Sequence, residues 1–443
     1  MLGGGKFITQ NKLLIGSYIN FVSAKDASIT LADRGYCAVA LELDWGADGM
    51  IELTSESFQK DAKKLLGYDY THENVKPLRE MFKNASTVYV YRLNGTGAKK
   101  AASDVATAKY AGVRGNNIAT LIEANVDDEA KFDVYTLVDG IEVDKQIVAK
   151  YADLVDNDYV DFNISSGALE AGTQPVYLTG GSNGTVTAGE EHTKFLALAE
   201  SYSFNTLACN SVEKTIVDLY IAYTKRMRDE VGVKFQTVIY GTAGDAKVDP
   251  NEKGVIVVDT AIVDEGVPAH YGIFWVTGAS AGCAINATNT NKKYDGEYKF
   301  KTDYTKTELE NAIKTGKFVF HKVGDDTRVL VDINSLVEYN MDESADFSDN
   351  KVVRIIDQIG NDVALEFNTN FLGKIPNDAA GRISFWNALD NYAKKLQNLR
   401  AIQEWDNTLL KISEGETKTS VVVDMVVNVV GTMEKLYMTV RVV

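Results

Sequence analysis

Histidines are the residues of this chain most able to bind a metal or transfer a proton, and their spacing favours neither role. The four are His72, His192, His270 and His321. No two of them form an HExxH pair. Glu190, Glu191 and His192 are adjacent, but neighbours along a helix point in different directions, so we interpret them as a solvated helix start. The sequence therefore predicts no catalytic residue and no metal site.

Glycine-rich stretches are the remaining candidates for ligand binding, because backbone N–H groups in such turns can hold an anion. Residues 3–6 and 95–100 lack the spacing and the following hydroxyl of a phosphate-binding loop. Residues 179–184 and 278–282 could each cradle an anion, although a turn that requires positive φ explains both stretches as well. We predict no cofactor.

Charge and composition are those of a large soluble protein that does not bind nucleic acid. At 443 residues and 45% apolar content, the chain allows two to four domains. Thirteen acidic residues and three lysines lie in residues 121–170, which indicates a separate acidic module. No clustered basic face and no membrane-spanning apolar run occur. Three widely spaced cysteines are typical of buried thiols in a reducing compartment.

Strands and helices alternate along most of the chain, and this order predicts an α/β core. Asn210 with Glu213 and Thr305 with Glu308 have the spacing of capping boxes. Gly232 is expected to end the first of these two helices. Strands are predicted at residues 36–43, 87–93, 235–240 and 255–259, helices at 77–85 and 190–202, and a hairpin at 318–322 and 327–332.

The clearest helical pattern covers residues 386–410. Its apolar stripe consists of Leu389, Ala393, Leu396, Leu399, Ile402, Trp405 and Leu409. Its polar side carries Asp390, Lys394, Lys395 and Arg400.

The last residues of the chain form two β-rich runs within residues 421–443. In the second run, side-chain alternation places Leu436, Met438, Val440 and Val442 on one face and Tyr437, Thr439, Arg441 and Val443 on the other. A terminal strand needs a partner, and an unpaired edge recruits one from another molecule.

The first residues show a milder version of the same feature. Residues 12–22 are mostly apolar, but Gly16, Ser17 and Asn20 interrupt them. A secretory signal has a continuous apolar core and a small-residue cleavage site, so we interpret this stretch as an extended arm instead.

Several motifs in this chain resemble those of tail-sheath proteins of contractile bacteriophages and phage-tail-like bacteriocins. Residues 109–122, KYAGVRGNNIATLI, are similar to the segment that opens the inserted domain of that family, and residues 178–184, LTGGSNG, to its return to the core. Residues 332–336, DINSL, resemble the DINTL signature, with Ser335 in place of threonine. Further matches are VRIID at 353–357, GKIPND at 373–378 and MEKLY at 433–437.

The resemblance implies a multidomain fold of the α/β (α+β) class. It consists of a mixed-sheet α/β core, an inserted β-rich outer domain and a C-terminal α/β domain with extended arms at both ends of the chain. We place the N-terminal linking arm at 1–25, the core at 26–95 and 174–350, the inserted acidic domain at 96–173, the C-terminal sheath domain at 351–432 and the C-terminal linking strand at 433–443.

The resemblance also implies a function that needs no cofactor and no catalytic site. Sheath subunits form a helical stack of six-fold rings around a tail tube, and contraction of the stack drives the tube through a bacterial cell envelope. The expected partners are further copies of the chain, the tail tube protein, and the baseplate and tail terminator proteins, with no nucleic acid and no membrane insertion. The expected location is a virion tail or phage-tail-like particle assembled in the host bacterial cytoplasm.

Two linking arms and one tube contact follow as site predictions. The N-terminal arm would link subunits through Leu14, Ile15, Tyr18 and Ile19, and the C-terminal strand through Leu436, Tyr437, Met438, Thr439, Val440, Arg441 and Val442. Lys394, Lys395 and Arg400 are predicted to face acidic groups of the tube, although a merely solvated helix face explains them equally well.

Two other classes of protein remain open from the sequence alone. An α/β enzyme would use the glycine-rich turns as its site and would form discrete particles. Another self-assembling lattice protein, such as a surface-layer subunit, would form flat sheets and would ordinarily need an export signal.

Overall fold

The structure is a computed structural model, and it describes residues 29, 31–164, 167–187 and 189–442. Two compact units make up this part of the chain. The core unit is Ala32–Gly360 with residues 431–442, and the small unit is Asn361–Val430 with residues 29 and 31.

The first part of the core unit supplies three strands and two helices. The first strand is apolar and almost wholly buried, as expected of a strand covered on both faces. The first helix begins with a capping box between Thr54 and Ser57 and ends at Gly67 in the left-handed conformation. These elements are β1 (Tyr36–Leu41), β2 (Met50–Thr54), α1 (Ser55–Leu66), α2 (Lys76–Phe82) and β3 (Thr87–Arg92).

A β-rich insertion follows β3. It contains a four-stranded antiparallel sheet in the order β7-β6-β5-β9 and a separate antiparallel pair, β4 with β8. The strands are β4 (Ala106–Ala108), β5 (Ile118–Ala124), β6 (Phe132–Val138), β7 (Ile141–Val148), β8 (Val160–Phe162) and β9 (Val176–Tyr177).

The chain then returns to the core unit. The elements there are α3 (Glu190–Ala199), β10 (Thr206–Ala208), α4 (Lys214–Arg226), β11 (Gln236–Tyr240), β12 (Thr242–Ala243), β13 (Ala246–Lys247), β14 (Val255–Val258), α5 (Gly272–Gly282), α6 (Lys306–Lys314), β15 (Lys317–Phe318), β16 (Phe320–Val323), β17 (Asp326–Val329) and α7 (Asn350–Glu366). The remaining elements, in the small unit, are α8 (Ala379–Asn398), β18 (Leu410–Glu414) and β19 (Val421–Met425).

A seven-stranded sheet in the order β15-β14-β11-β10-β1-β3-β2 forms the centre of the core unit. All neighbouring pairs are parallel except β2 with β3, which are antiparallel. The chain runs from β1 to β3 on one side and later returns to β10 on the other side of β1. The strand order therefore reverses between β1 and β10, which is the topological switch point of the sheet.

The predicted α/β class is confirmed, with a mixed-sheet core and a β-rich insertion. The strands predicted at residues 36–43, 87–93, 235–240 and 255–259 are present as β1, β3, β11 and β14, and the predicted hairpin is β16 with β17. Thr305 and Glu308 form the predicted capping box of α6. The domain ranges remain a prediction.

The capping box predicted for Asn210 and Glu213 is wrong. Helix α4 begins at Lys214, and Glu213 at its N-cap makes no side-chain cap. The Asn210 Oδ1 atom lies 3.0 Å from His270 Nε2, so this amide is engaged by a side chain distant in sequence. Gly232 does adopt the left-handed conformation, where it ends the π-helical turn that follows α4.

The helix predicted at residues 386–410 starts earlier and ends earlier. Asp378 caps α8 by accepting a hydrogen bond from the Gly381 backbone N–H at 2.8 Å. Arg400 has a φ of 58°, a left-handed conformation that a continuing helix does not permit. Leu389, Ala393 and Leu396 are buried as predicted. Leu399 and Leu409 are exposed, since the chain has turned away before their predicted positions on the stripe.

Candidate assembly surfaces

The C-terminal segment is the largest continuous exposure of apolar side chains among the described residues. Leu436, Met438, Val440 and Val442, the four predicted for one face, are between 71% and 94% exposed. Tyr437 is 89% exposed. Five exposed apolar side chains within seven residues form a surface that is unfavourable in water, which is typical of an interaction site.

The prediction that this segment forms a strand with a neighbouring copy stays a prediction. Residues 433–442 have no regular secondary structure. A strand is defined by its ladder of hydrogen bonds to a neighbour, and no described segment of the chain runs beside this one. The alternation of side chains is therefore present without the partner that would convert it into a strand.

The small unit contains a strand pair that lacks a third strand, just as the C-terminal segment lacks a strand partner. β18 and β19 pair antiparallel from Leu410–Met425 to Glu414–Val421, and no third strand joins them among the described residues. The β18 side is partly closed, because the Trp386 Nε1–H donates to the Leu410 carbonyl oxygen at 3.0 Å. Val422 and Val423 of β19 are 52% and 37% exposed. A two-stranded sheet of this kind is marginal alone and gains from a third strand.

The predicted N-terminal linking residues lie outside the described residues. They are Leu14, Ile15, Tyr18 and Ile19. Their role therefore remains a prediction from the sequence.

The three predicted tube-contact residues differ in how free their charges are. The Lys394 Nζ lies 2.7 Å from the Asp390 Oδ2 atom, one helical turn away. The Lys395 Nζ donates to the Ile29 carbonyl oxygen at 2.8 Å, a neutral acceptor. Arg400 is exposed and lies beyond the helix, in the turn that follows it. Lys395 and Arg400 thus carry charge that no carboxylate within the described residues compensates, whereas Lys394 is paired.

The sequence pattern places Asp390 on the polar, solvated side of the helix, but the side chain does not lie there. Its side chain is buried, and its Oδ1 atom accepts a hydrogen bond from the Trp405 Nε1–H at 2.9 Å. The carboxylate therefore connects α8 to the chain that follows it. No sequence pattern predicts this contact, because the helical pattern places Trp405 on the same helix as Asp390.

The stretch at residues 179–184 does not form an anion cradle. The backbone N–H groups of Thr179, Gly181, Ser182 and Gly184 donate to Ala102 O, Asn116 Oδ1, Lys99 O and Asn94 O at 2.9 to 3.1 Å. No amide of these four is left for a ligand. A Cβ atom at Gly184 would collide with the Thr96 carbonyl oxygen, so glycine serves close packing here.

The stretch at residues 278–282 is not a turn at all. It lies within the buried helix α5, where Cβ atoms at Gly278 and Gly282 would collide with the carbonyl oxygens of Met81 and Asn84. These glycines let α5 approach α2 closely. Both glycine-rich stretches of the enzyme alternative are therefore structural.

The titratable side chains offer no activated group. Burial lowers the pKa of His192, and the pKa of His270 falls to about 4, so both rings are neutral near pH 7. Burial raises the pKa of Cys37 and Cys209 to about 12, which keeps both thiols protonated. No cluster of three or more metal-ligating side chains occurs in the described part of the chain.

A crevice of about 590 Å³ lies at the switch point of the sheet, where ligands bind in many α/β proteins. Glu42, Asp44 and Glu213 are among the residues that line it, together with His192 and Asn210. Neither lysine nor arginine belongs to this lining, so the crevice lacks the cation that would bind a phosphate. Within the described residues no helix is long and apolar enough to span a membrane.

The motifs at residues 109–122 and 178–184 meet where the insertion joins the core sheet. The Asn116 Nδ2–H donates to the Gly181 carbonyl oxygen at 2.8 Å, and the Gly181 N–H donates back to Asn116 Oδ1 at 2.9 Å. The Arg114 Nε–H donates to the Gly67 carbonyl oxygen at 2.7 Å, and its Nη1–H to Asp139 Oδ1 at 2.8 Å. These contacts fix the insertion to the end of α1.

The second pair of motifs forms a buried charged network. The Arg354 Nη2–H donates to Asp332 Oδ2 at 3.1 Å, and both side chains are at most 1% exposed. The Asn350 Nδ2–H donates to Asp332 Oδ1 at 2.9 Å. One turn further along α7, Asp357 forms a bidentate pair with Arg228 at 2.7 Å. Asp332 of the DINSL segment thus pairs with Arg354 of the VRIID segment, and Asp357 of VRIID pairs with Arg228. Both contacts hold α7 in place.

Family models match four successive parts of the chain. A phage tail sheath domain III N-terminal region, described for the tail sheath protein Gp18, matches residues 34–93, and a phage tail sheath beta-sandwich domain matches residues 94–187. A phage tail sheath central domain matches residues 185–335, and a phage tail sheath C-terminal domain matches residues 342–443.

Individual relatives match over the full length of the chain. The phage-like element PBSX protein XkdK of Bacillus subtilis (strain 168) is 31% identical over 477 residues and covers 100% of both chains. The crystal structure of a sheath tail protein from Desulfitobacterium hafniense is 33% identical, covers 96% of this chain and 100% of that one, and has a TM-score of 0.80. The contracted helical sheath of the anti-feeding prophage shares the fold alone, at 13% identity, 96% and 98% coverage and a TM-score of 0.59.

Proposed function

Because the chain belongs to the phage tail sheath protein family, we propose that it is a structural subunit of a contractile tail sheath. The subunits polymerise as stacked six-fold rings around a tail tube, and contraction of the stack drives the tube through a bacterial cell envelope. The polymer ends on baseplate and tail terminator proteins. It assembles in the cytoplasm of the host bacterium as part of a phage tail or phage-tail-like particle.

One observation carries this proposal: each copy has both an uncovered apolar strand segment and an incomplete two-stranded sheet. The segment is residues 436–442, and the sheet is β18 with β19. A donor and an acceptor at different places on one chain make a head-to-tail contact, which propagates into rings or helices rather than closing as a dimer. Strand addition to an open edge is the physical form of that contact.

The open edge of β19 supports the donor–acceptor pairing. β19 is five residues long, so a donor segment of seven residues is long enough to pair with all of it. A ladder of about five hydrogen bonds contributes about 3 to 8 kcal/mol before apolar packing is added. Such a link is weak alone, but in a polymer the neighbouring links hold its ends at high effective concentration, so subunits can move without separating. The N-terminal arm, with Leu14, Ile15, Tyr18 and Ile19, supplies a second link.

We propose that the energy of contraction is stored in the assembled extended polymer. The positions of the titratable groups support this, since the described residues include no activated nucleophile and no phosphate-binding cation in the crevice. The chain is accordingly a structural protein rather than an enzyme. Lys395 and Arg400, with Lys394 beside them, face acidic groups on the tube, where exposed ion pairs hold weakly and release readily.

A truncated chain that ends at Thr432 tests the proposal. We expect the full chain to form hollow cylinders in negative-stain electron micrographs and the truncated chain to stay as folded single particles with an unchanged circular dichroism spectrum. A matched pair of point variants separates strand addition from general loss of the tail. Val440→Lys, on the apolar face, should block cylinder formation, and Thr439→Lys, on the opposite face, should permit it. Cylinders formed by the truncated chain would contradict the proposal.

A further inference from the structure

The C-terminal segment is held to the core unit by one side chain near its root. The Thr290 Oγ1–H donates to Glu434 Oε1 at 3.0 Å, and the Thr432 Oγ1–H donates to the same oxygen at 3.4 Å. Residues 435–442 make no hydrogen bond or ion pair within the described part of the chain. Glu434 is therefore the last point at which the segment is attached.

The other side of this contact is rigid. Thr290 Oγ1 also accepts a hydrogen bond from the Asp332 backbone N–H at 3.0 Å. Asp332 is held in turn by Arg354 and Asn350 in the buried network described above. A side chain that bonds to Thr290 is thus connected to this buried network.

We propose that Glu434 is the positioning residue of the C-terminal arm. Its hydrogen bond with Thr290 fixes the direction in which residues 436–442 leave the core unit. A donor strand whose root is fixed loses less conformational entropy when it reaches an acceptor. Only the identity of the acceptor strand that the arm pairs with rests on the proposed function.

Single-molecule energy transfer on dilute, unassembled chains tests the proposal. Fluorophores are attached to Met438→Cys on the arm and Lys322→Cys on β16, both exposed, while the three native cysteines are buried. We expect a narrow distance distribution for the otherwise unchanged chain. Glu434→Ala should raise the ratio of detached to attached arms by about tenfold, because the variant loses a hydrogen bond to a charged group. Glu434→Gln keeps the acceptor oxygen and should give a smaller rise.

A distance distribution in the unchanged chain as broad as that of Glu434→Ala would overturn the role of Glu434. Because single dilute chains cannot exchange arms, these results are independent of whether the chain polymerises, which the truncated chain tests separately.

Discussion

The charged residues of the buried Asp332–Arg354 pair stabilise the core unit only as a set. Both groups have lost their hydration and compensate each other. Amide donors complete the shell of Asp332, and the Ala287 carbonyl oxygen accepts a further hydrogen bond from Arg354. Removal of one partner leaves a charge buried without compensation, which costs more than the intact pair ever contributed.

Asp332→Asn should therefore destabilise the chain by about 3 to 5 kcal/mol, because it leaves the Arg354 guanidinium unpaired in the interior. Urea unfolding followed by circular dichroism gives the free energy of unfolding. Lys60→Gln is the matched control, since it breaks an exposed pair with Glu56 whose partners are 69% and 75% exposed, and no measurable change is expected. Equal effects of the two substitutions would contradict this account of the network.

The proposed tube contact also depends on single residues. Lys395→Glu with Arg400→Glu should abolish cosedimentation with the tail tube protein at low salt, since both charges are uncompensated by any carboxylate in the described residues. Lys394→Gln should have the smaller effect, because Asp390 already neutralises that lysine. Cosedimentation that survives the double charge reversal would show that the tube binds elsewhere.

At the scale of elements, the close approach of α5 and α2 depends on glycine. Gly278→Ala should destabilise the chain by about 1 to 3 kcal/mol, because the new methyl group collides with the Met81 carbonyl oxygen and backbone cannot give way cheaply. Gly360→Ala lies in α7, where the nearest atom is at 3.6 Å, and should stabilise the chain by about 1 kcal/mol through helix propensity. Thermal unfolding of both variants checks the pair, and a stabilising Gly278→Ala would refute the packing argument.

Much of the element order could be predicted from residue patterns. β1 and β14 are apolar runs of the length that parallel strands require, and α6 carries a capping box that needs only Thr305 and Glu308. These signals are local, so the sequence is sufficient to read them.

The predictions that failed depend on contacts distant in sequence. Asn210 bonds to His270 rather than capping a helix, and the glycines of α5 meet carbonyl groups of α2 and of the turn that follows it. Asp390 is buried by Trp405 only because Arg400 turns the chain back. The Thr290–Glu434 contact joins residues 144 positions apart, and neither residue type predicts the contact from the sequence.

At the scale of the whole molecule, the insertion should be separable from assembly. Its two ends meet, since the Gly184 N–H donates to the Asn94 carbonyl oxygen at 3.0 Å. We propose that the acidic residues of the insertion face outward, where their like charges stay solvated.

Deletion of residues 96–173 with a short glycine–serine bridge should therefore leave cylinder formation intact in electron micrographs. The shortened chain should be less stable than the full chain, because Trp45, which is 1% exposed, packs against buried side chains of the insertion. Folded but unassembled protein would contradict the outward placement.

The central claim is that the C-terminal segment of one copy pairs with the β18–β19 sheet of another. Two single-cysteine additions, Val440→Cys on the arm and Val423→Cys on β19, are made in separate chains, and the native cysteines stay buried. Mixed, assembled and oxidised, these two variants should give a disulfide-linked dimer on non-reducing gels, while a chain with both substitutions should give a ladder of higher oligomers. Cylinders that form from the mixture without any cross-link, or a doubly substituted chain that links only within itself, would contradict the claim.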